Sequence, residues 1–305
     1  MRDLRIVFMG TPEFAVESLK MLVERGFNVV AVITAPDKPK GRGQKLSFSP
    51  VKEFALSKAI PVLQPTNLKS PEFNVELKSY NANLQVVVAF RMLPEVVWSM
   101  PEYGTFNLHA SLLPQYRGAA PINWAIINGE TETGVTTFFI KHEIDTGSII
   151  LQDREPIYET DNVGSLYQRL MEKGAKLVLK TVEQVRDETY DLKIQQESVD
   201  LKHAPKLFKE DCKIDWSLSS KKVYDFVRGL SPYPGAWTEL NGKTYKIFEV
   251  KISEKTMNAP VGEVQTNLKD EILIKTGDGA VSLLDLQLEG KRRMKTEEFL
   301  RGNKL

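Results

Sequence analysis

Cysteine is nearly missing from this chain: Cys212 is the only one among 305 residues. A lone thiol excludes an internal disulfide framework and any zinc site built from several thiolates; Cys212 is expected as a small, half-buried side chain. Histidine is almost as rare. His109, His142 and His203 are the three present, with no H-x-x-x-H pair among them, so no metal is expected. No apolar run approaches the roughly 18 residues a membrane helix needs, and the amino terminus does not read as a secretion signal. No membrane contact and a cytoplasmic location are therefore expected. Excess charge is missing too: 41 Lys and Arg face 40 Asp and Glu. A polyanionic partner must be met by local patches rather than by the whole surface. The remaining composition, 42% hydrophobic and 27% charged, is that of an ordinary globular protein long enough for two domains.

What is present alternates. Leu4-Arg5-Ile6-Val7-Phe8-Met9-Gly10 reads as a buried strand, and Thr11-Pro12 opens a helix to about Arg25 with an N-cap and a first-turn proline. A strand over 28–33, a helix opening at Ser49-Pro50, a short strand at 61–63, a helix over 71–79 and an apolar strand over 84–90 follow. Further strands at 104–109, 134–141 and 148–151 precede a helix over 163–185, with a core-facing stripe at Leu166, Leu170, Leu177 and Val178. This order predicts an α/β fold: a doubly wound, mostly parallel, Rossmann-like sheet over residues 1–188. The turn Gly10-Thr11-Pro12-Glu13-Phe14-Ala15 lacks the later glycines that a dinucleotide pyrophosphate needs, so a nicotinamide cofactor is not expected. Residues 189–205 are polar and weakly periodic, as in a linker. From 206 to 305 a helix at about 219–229 and short β-type runs at 236–240, 243–250, 262–265, 272–275 and 280–287, separated by Asn-Gly and Asp-Gly turns, predict a small β-barrel.

Polar residues at core-like positions mark the candidate site. In Gly104-Thr105-Phe106-Asn107-Leu108-His109, strand alternation puts Asn107 and His109 on one face, roughly 7 Å apart at Cα. The run Gly134–Lys141 delivers Glu143-Ile144-Asp145-Thr146-Gly147 just past its end. If the two strands are parallel neighbours, Asp145 shares the carboxyl edge of the sheet with His109. An imidazole that titrates near neutrality, a carboxylate that orients it and a carboxamide that donates to a developing oxyanion suit acyl or one-carbon transfer. Ser111 is not set in a nucleophile elbow, so direct attack by a substrate amine fits better than a covalent intermediate. The competing reading is a buried Asn-His pair satisfied by backbone, beside a surface Asp. For Asp145-Thr146-Gly147 an aspartic protease motif is a rival, which a single copy in an α/β chain disfavours.

The Asn107-x-His109 pair, Ser111-Leu112-Leu113-Pro114, Tyr116-Arg117-Gly118-Ala119-Ala120-Pro121-Ile122 and Asp145-Thr146-Gly147 together resemble the formyltransferases that use 10-formyltetrahydrofolate. The Arg-Gly-Ala-Ala-Pro-Ile extension resembles the branch that formylates methionyl-tRNA rather than the one that formylates glycinamide ribonucleotide. The resemblance implies catalysis by Asn107, His109 and Asp145. It also implies a folate pocket framed by Phe90, Met92, Leu93, Ser111, Leu112, Leu113 and Pro114, and an OB-like fold for the carboxyl-terminal barrel. Close relatives often carry Ala-Tyr-Gly where this chain has Ala89-Phe90-Arg91.

Two basic stretches remain. The long connection Thr34–Leu46 carries Lys38, Lys40, Arg42 and Lys45 against Asp37 alone, and Gly41 and Gly43 flank Arg42. The resemblance implies that this loop wedges against the acceptor end of initiator methionyl-tRNA, with Arg42 foremost. In the second domain Lys206, Lys209, Lys291 and Arg292, with Arg293 and Lys295, are candidates for a phosphate track. A monomer acting on initiator methionyl-tRNA with 10-formyltetrahydrofolate as donor is expected. The alternatives are a formyltransferase acting on a sugar nucleotide or on glycinamide ribonucleotide, a hydrolase releasing formate from the same donor, and an RNA-binding protein without activity.

Overall fold

The computed structural model describes residues 1–40, 45–196 and 200–303, the side chains of Lys40, Lys45 and Leu46 excepted. The chain forms two compact units, one of residues 1–117, 134–155 and 168–202, the other of residues 118–133, 156–167 and 203–305.

The first unit is built on β1 (Arg5–Gly10), β2 (Asn28–Ile33), β3 (Val62–Leu63), β4 (Leu84–Val88), β5 (Thr105–His109), β6 (Glu132–Phe139) and β7 (Ile149–Pro156). They lie side by side in the order β7-β6-β5-β4-β1-β2-β3. The run from β5 through β4, β1 and β2 to β3 is parallel, so the expected mostly parallel sheet is present. Every residue of β4 is buried, as expected of an apolar strand covered on both faces. Helices Pro50–Ser57 and Pro71–Ser79 start where the sequence indicates: Ser49 and Ser70 each accept a hydrogen bond from the backbone three residues on, and proline fills the first helical position. Each such cap is worth about 1 kcal/mol.

The strand pairing differs from expectation at one place that matters. β6 runs antiparallel to β5, with His109 opposite Thr136 and Phe106 opposite Phe139. The chain therefore leaves β6 beside the amino end of β5, and no parallel strand end carries Asp145 toward His109. Helix Val163–Asp187 covers these strands closely. A Cβ at Gly174 would stand 2.7 Å from the Leu108 side chain, and Thr181 and Thr137 hydroxyls meet at 2.8 Å. Leu166, Leu170, Leu177 and Val178 are buried along this helix, as the stripe predicts.

The basic connection after β2 is a short ribbon rather than an open loop, with Lys38 opposite Ser47 and Lys40 opposite Lys45; Arg42 lies outside the described residues. The ribbon's root is fastened. Lys52 Nζ donates to Asp37 (2.5 Å) and Gln64 (2.7 Å), and Gln64 Nε2 donates to Asp37 and to the Ala35 carbonyl, both at 2.8 Å. The Lys52 partner, and secondarily Gln64, hold the Asp37 carboxyl below the usual carboxylate range.

The second unit holds β8 (Ala236–Leu240), β9 (Lys243–Ile252), β10 (Val264–Thr266), β11 (Ile272–Lys275), β12 (Ala280–Leu288) and β13 (Met294–Lys295). They form an antiparallel sheet in the order β8-β9-β12-β11-β10, with β13 on β12. Irregular register between Ile247 and Val250 helps it bend. Helix Ser220–Leu230 contributes Val223, Val227 and Leu230 to a core shared with Tyr245, Ile247 and Leu283. Among the described residues the edge strands β8 and β10 do not pair with each other, so the expected barrel is an open, curled half-barrel.

Residues 189–202 of the expected linker belong to the first unit and 203–205 to the second. The described residues of the stretch are stitched down. Lys193 and Ile149 exchange backbone hydrogen bonds at 2.8 and 2.9 Å, and Tyr116 N donates to the Lys202 carbonyl at 2.6 Å.

Candidate active site

β5 sets the first two groups. Its alternation turns Phe106 and Leu108 into the core and leaves Asn107 and His109 on the other face. His109 is 6% exposed, so its ring nitrogens must be satisfied by protein, and they are arranged unequally. Nε2 lies 2.8 Å from the Tyr116 carbonyl. A carbonyl only accepts, so Nε2 carries the hydrogen. Nδ1 faces Asp145, whose Oδ2 is 3.8 Å away. That separation is an ion-pair distance rather than a direct hydrogen bond. Asn107 is half-buried, and among the described residues its carboxamide has no hydrogen-bond partner.

Asp145 reaches His109 by a fold-back of the loop after β6. Phe139 N donates to the Ser148 carbonyl at 3.0 Å, so the loop leaves and returns at one point. It lies so close to the strand that a Cβ on Gly147 would sit 1.6 Å from the Phe139 carbonyl oxygen; only glycine fits. Asp145 itself adopts a left-handed backbone (φ 55°). The three polar groups are thus gathered by a loop conformation and not by the strand order expected from the sequence.

The turn Ser111–Pro114 is held by β6 and β7. Thr136 Oγ1 donates to the Ser111 carbonyl (2.6 Å) and accepts from Leu113 N (3.2 Å), and Gln152 Nε2 donates to the Leu113 carbonyl (2.8 Å). Ser111 is fully buried and its hydroxyl donates to the Gln115 carbonyl at 2.6 Å. Leu113 packs with Phe138 and Ile149, while Leu112 and Pro114 are half-buried. Of the other expected pocket residues, Leu93 is buried, Phe90 packs partly on the same core, and Met92 is 71% exposed. Arg91 is a strut: its guanidinium donates to the Thr66 (3.0 Å) and Pro65 carbonyls. A cavity of about 450 Å³ is lined by Arg2, Trp98, Tyr103, Thr105, Phe139 and Tyr190 among others, at the amino end of β5; Asn107, His109 and Asp145 do not line it.

Sequence reasoning missed one residue of this neighbourhood. Gln195 is 8% exposed; its Oε1 accepts from Arg117 Nε (3.1 Å) and Nη2 (2.7 Å), and its Nε2 donates to the carbonyls of Asp145 and Gly147, both at 2.8 Å. A glutamine in a polar stretch, 50 positions from its partner, carries no local signal.

The basic candidates divide. Lys38 is exposed on the ribbon. Lys206 and Lys209 are exposed, without a carboxylate partner among the described residues, and lie 5.1 Å from the Phe208 ring and 5.7 Å from the Trp237 ring. In the run 291–295, by contrast, Arg292 pairs with Glu298, Arg293 grips Asp285 at 2.8 and 3.0 Å, and Lys295 contacts Glu249 (2.6 Å) and Asp285 (3.2 Å). Lys291 is exposed and has no such partner among the described residues. The hydrogen bond to Asp285 raises the Arg293 pKa further, and that to Glu249 raises the Lys295 pKa. Among the described residues no three His, Cys, Asp or Glu side chains gather as metal ligands, and no helix is long and apolar enough to cross a membrane.

An imidazole flanked by a carboxylate, beside a carboxamide, can stabilise charge on oxygen and move a proton. Comparison with known proteins gives the family. Residues 4–182 match the formyl transferase model and residues 206–304 the formyl transferase carboxyl-terminal domain. A methionyl-tRNA formyltransferase of Bacteroides thetaiotaomicron is 58% identical across 99% of this chain and 97% of its own length, and one of Flavobacterium johnsoniae is 53% identical across 99% and 97%. Among solved structures, an N-formyltransferase from Helicobacter canadensis in complex with folinic acid and dTDP-3-aminofucose shares the fold (TM-score 0.68, 23% identity, 92% of this chain, 98% of that one). So does HypX from Aquifex aeolicus in complex with tetrahydrofolic acid (TM-score 0.65, 22% identity, 98% of this chain), of which this chain spans only 47%. The chain belongs to the formyl transferase family, within its methionyl-tRNA formyltransferase branch.

Proposed function

We propose that the protein transfers the formyl group of 10-formyltetrahydrofolate to the α-amino group of initiator methionyl-tRNA. The observation that carries this reading is the meeting of His109 and Asp145, 3.8 Å apart beside Asn107, in a chain 58% identical to a methionyl-tRNA formyltransferase.

In this reading Asn107 is the group without another task. Its N–H₂ donates to the formyl oxygen as the amine adds and charge gathers there. His109 Nε2 is occupied by the Tyr116 carbonyl, so Nδ1 is the nitrogen open to proton exchange. Asp145 faces Nδ1 and helps His109 draw the proton from the attacking amine. The new bond joins the amine nitrogen to the formyl carbon, the bond from that carbon to folate N10 breaks, and N10 leaves with a proton. The donor is held by the Ser111–Pro114 turn and the segment of Phe90, Met92 and Leu93, whose apolar side chains and backbone groups suit a flat ring with hydrogen-bonding edges. Arg91 does not join them, being tied to Pro65 and Thr66.

For the tRNA, Lys38, Lys40, Arg42 and Lys45 of the basic connection supply positive charge along the sequence, and Lys206 with Lys209, beside Phe208 and Trp237, supply charge without a carboxylate partner among the described residues and aromatic faces. Lys291, exposed in the second unit, is a further cation available to phosphate. Arg292, Arg293 and Lys295 contribute less than their sequence suggests, because carboxylates already answer them. The protein acts as a monomer in the cytoplasm.

The test is incubation of the protein with 10-formyltetrahydrofolate, with and without charged initiator tRNA. Formylmethionyl-tRNA should form only when both are present. Formate released without an acceptor would identify a hydrolase, and formylation of an amino sugar nucleotide in place of tRNA would assign the trio to another acceptor.

A further inference from the structure

His109 is addressed from both sides by residues whose backbones lead to the same pair of side chains. Tyr116 holds Nε2, and the next residue is Arg117; Asp145 faces Nδ1, and its carbonyl is held by Gln195. Arg117 and Gln195 are bonded to each other, which closes a ring of contacts around the imidazole.

We propose that Gln195 is a positioning residue for the transfer reaction: its carboxamide fixes where the Asp145 carboxylate stands relative to His109, with Arg117 fixing the carboxamide. The amide has two donor hydrogens and two acceptor lone pairs, and all are used. Both hydrogens go to the carbonyls of Asp145 and Gly147, and the oxygen takes both bonds from the guanidinium. The orientation is unique, because carbonyls only accept and a guanidinium only donates. The two carbonyls it holds bracket the turn in which Asp145 adopts its left-handed backbone, a conformation that Asp enters more readily than most residues but that is sparsely populated without fixed neighbours. Gln195 is itself anchored, two residues after the backbone pairing of Lys193 with Ile149. Without it the loop keeps Gly147 against β6 but loses the bonds that aim Asp145. A misplacement of about 1 Å in a catalytic group can cost on the order of a hundredfold in rate.

This inference rests on the role given to Asp145 above, and the test separates the two. Single-turnover formylation would be measured across pH for Gln195→Ala, Gln195→Glu, Asp145→Ala and the double variant Gln195→Ala with Asp145→Ala. Gln195→Glu keeps the acceptor for Arg117 but sets a carboxylate oxygen against two carbonyls. Both Gln195 variants should lower the rate constant about 10- to 100-fold, move the pH profile, and leave the apparent KM for tRNA and donor within about twofold. The double variant should be no slower than Asp145→Ala alone. Arg117→Met, which cuts only the acceptor side, should fall in the same direction and keeps the test decisive if Gln195→Ala does not fold. A normal rate in Gln195→Ala beside a crippled Asp145→Ala overturns this proposal only, as does an additive loss in the double variant. A normal rate in Asp145→Ala overturns the catalytic reading and this proposal with it.

Discussion

Residues 107–147 and residues 285–298 both concentrate polar side chains, and the structure uses them in opposite ways. In the first stretch hydrogen-bonding capacity is left over beside the imidazole: His109 Nε2 is bound to a backbone carbonyl while Nδ1 faces Asp145, and the Asn107 amide has no partner among the described residues. In the second, Arg292, Arg293 and Lys295 are answered by Glu298, Asp285 and Glu249. Chemistry is expected where polar capacity is buried yet left over, and stability where it is consumed. Counting charges along a sequence does not distinguish the two cases.

The sharpest way to break the comparison is to remove the capacity left over in the first stretch. Asn107→Ala and His109→Ala should each lower single-turnover formylation on the order of a hundredfold or more, with the tRNA dissociation constant nearly unchanged. A loss confined to tRNA affinity would make the first stretch a binding surface. Next in size are the cations expected to meet tRNA. Lys206→Ala with Lys209→Ala should raise the KM for charged tRNA severalfold and flatten its dependence on log salt by about two. Arg42→Ala should also raise that KM while the donor KM stays put. Arg293→Ala should do the reverse, lowering the melting temperature by a few degrees, since solvent screens a guanidinium this exposed, and leaving the tRNA KM within about twofold. A larger effect on tRNA than on melting would return residues 292–295 to the interface.

The smallest effect concerns the root of the ribbon. Asp37 has its pKa lowered, chiefly by Lys52. Its contribution is therefore fully present above the ordinary carboxylate pKa of about 4 and is lost only as pH falls through the lowered folded value. Apparent tRNA affinity of Asp37→Asn relative to the unmodified protein should be constant between about pH 6 and 9, measured at fixed salt.

The elements with local causes were legible in the sequence. Ser49-Pro50 and Ser70-Pro71 announce helices because the cap and the proline act within one turn, and the apolar run 84–90 announces a covered strand, which the structure ends at Val88. Asn107 and His109 were legible as neighbours because strand alternation is a local rule. The direction of β6 was not, since an antiparallel and a parallel partner show the same side-chain alternation. Asp145 lies beside His109 for a reason the sequence hints at only through Gly147, whose missing Cβ lets the loop lie on Phe139. Gln195 and the carboxylates facing residues 292–295 were hidden, because partners distant along the chain leave no periodic trace.

The most direct measurement is the single-turnover rate of Asp145→Asn at saturating 10-formyltetrahydrofolate and charged initiator tRNA. The substitution keeps the shape of the side chain and removes its charge beside His109 Nδ1. The rate is expected to fall at least about a hundredfold below that of the unmodified protein, with both substrates still bound. A rate within about threefold would mean that the carboxylate takes no part in the transfer.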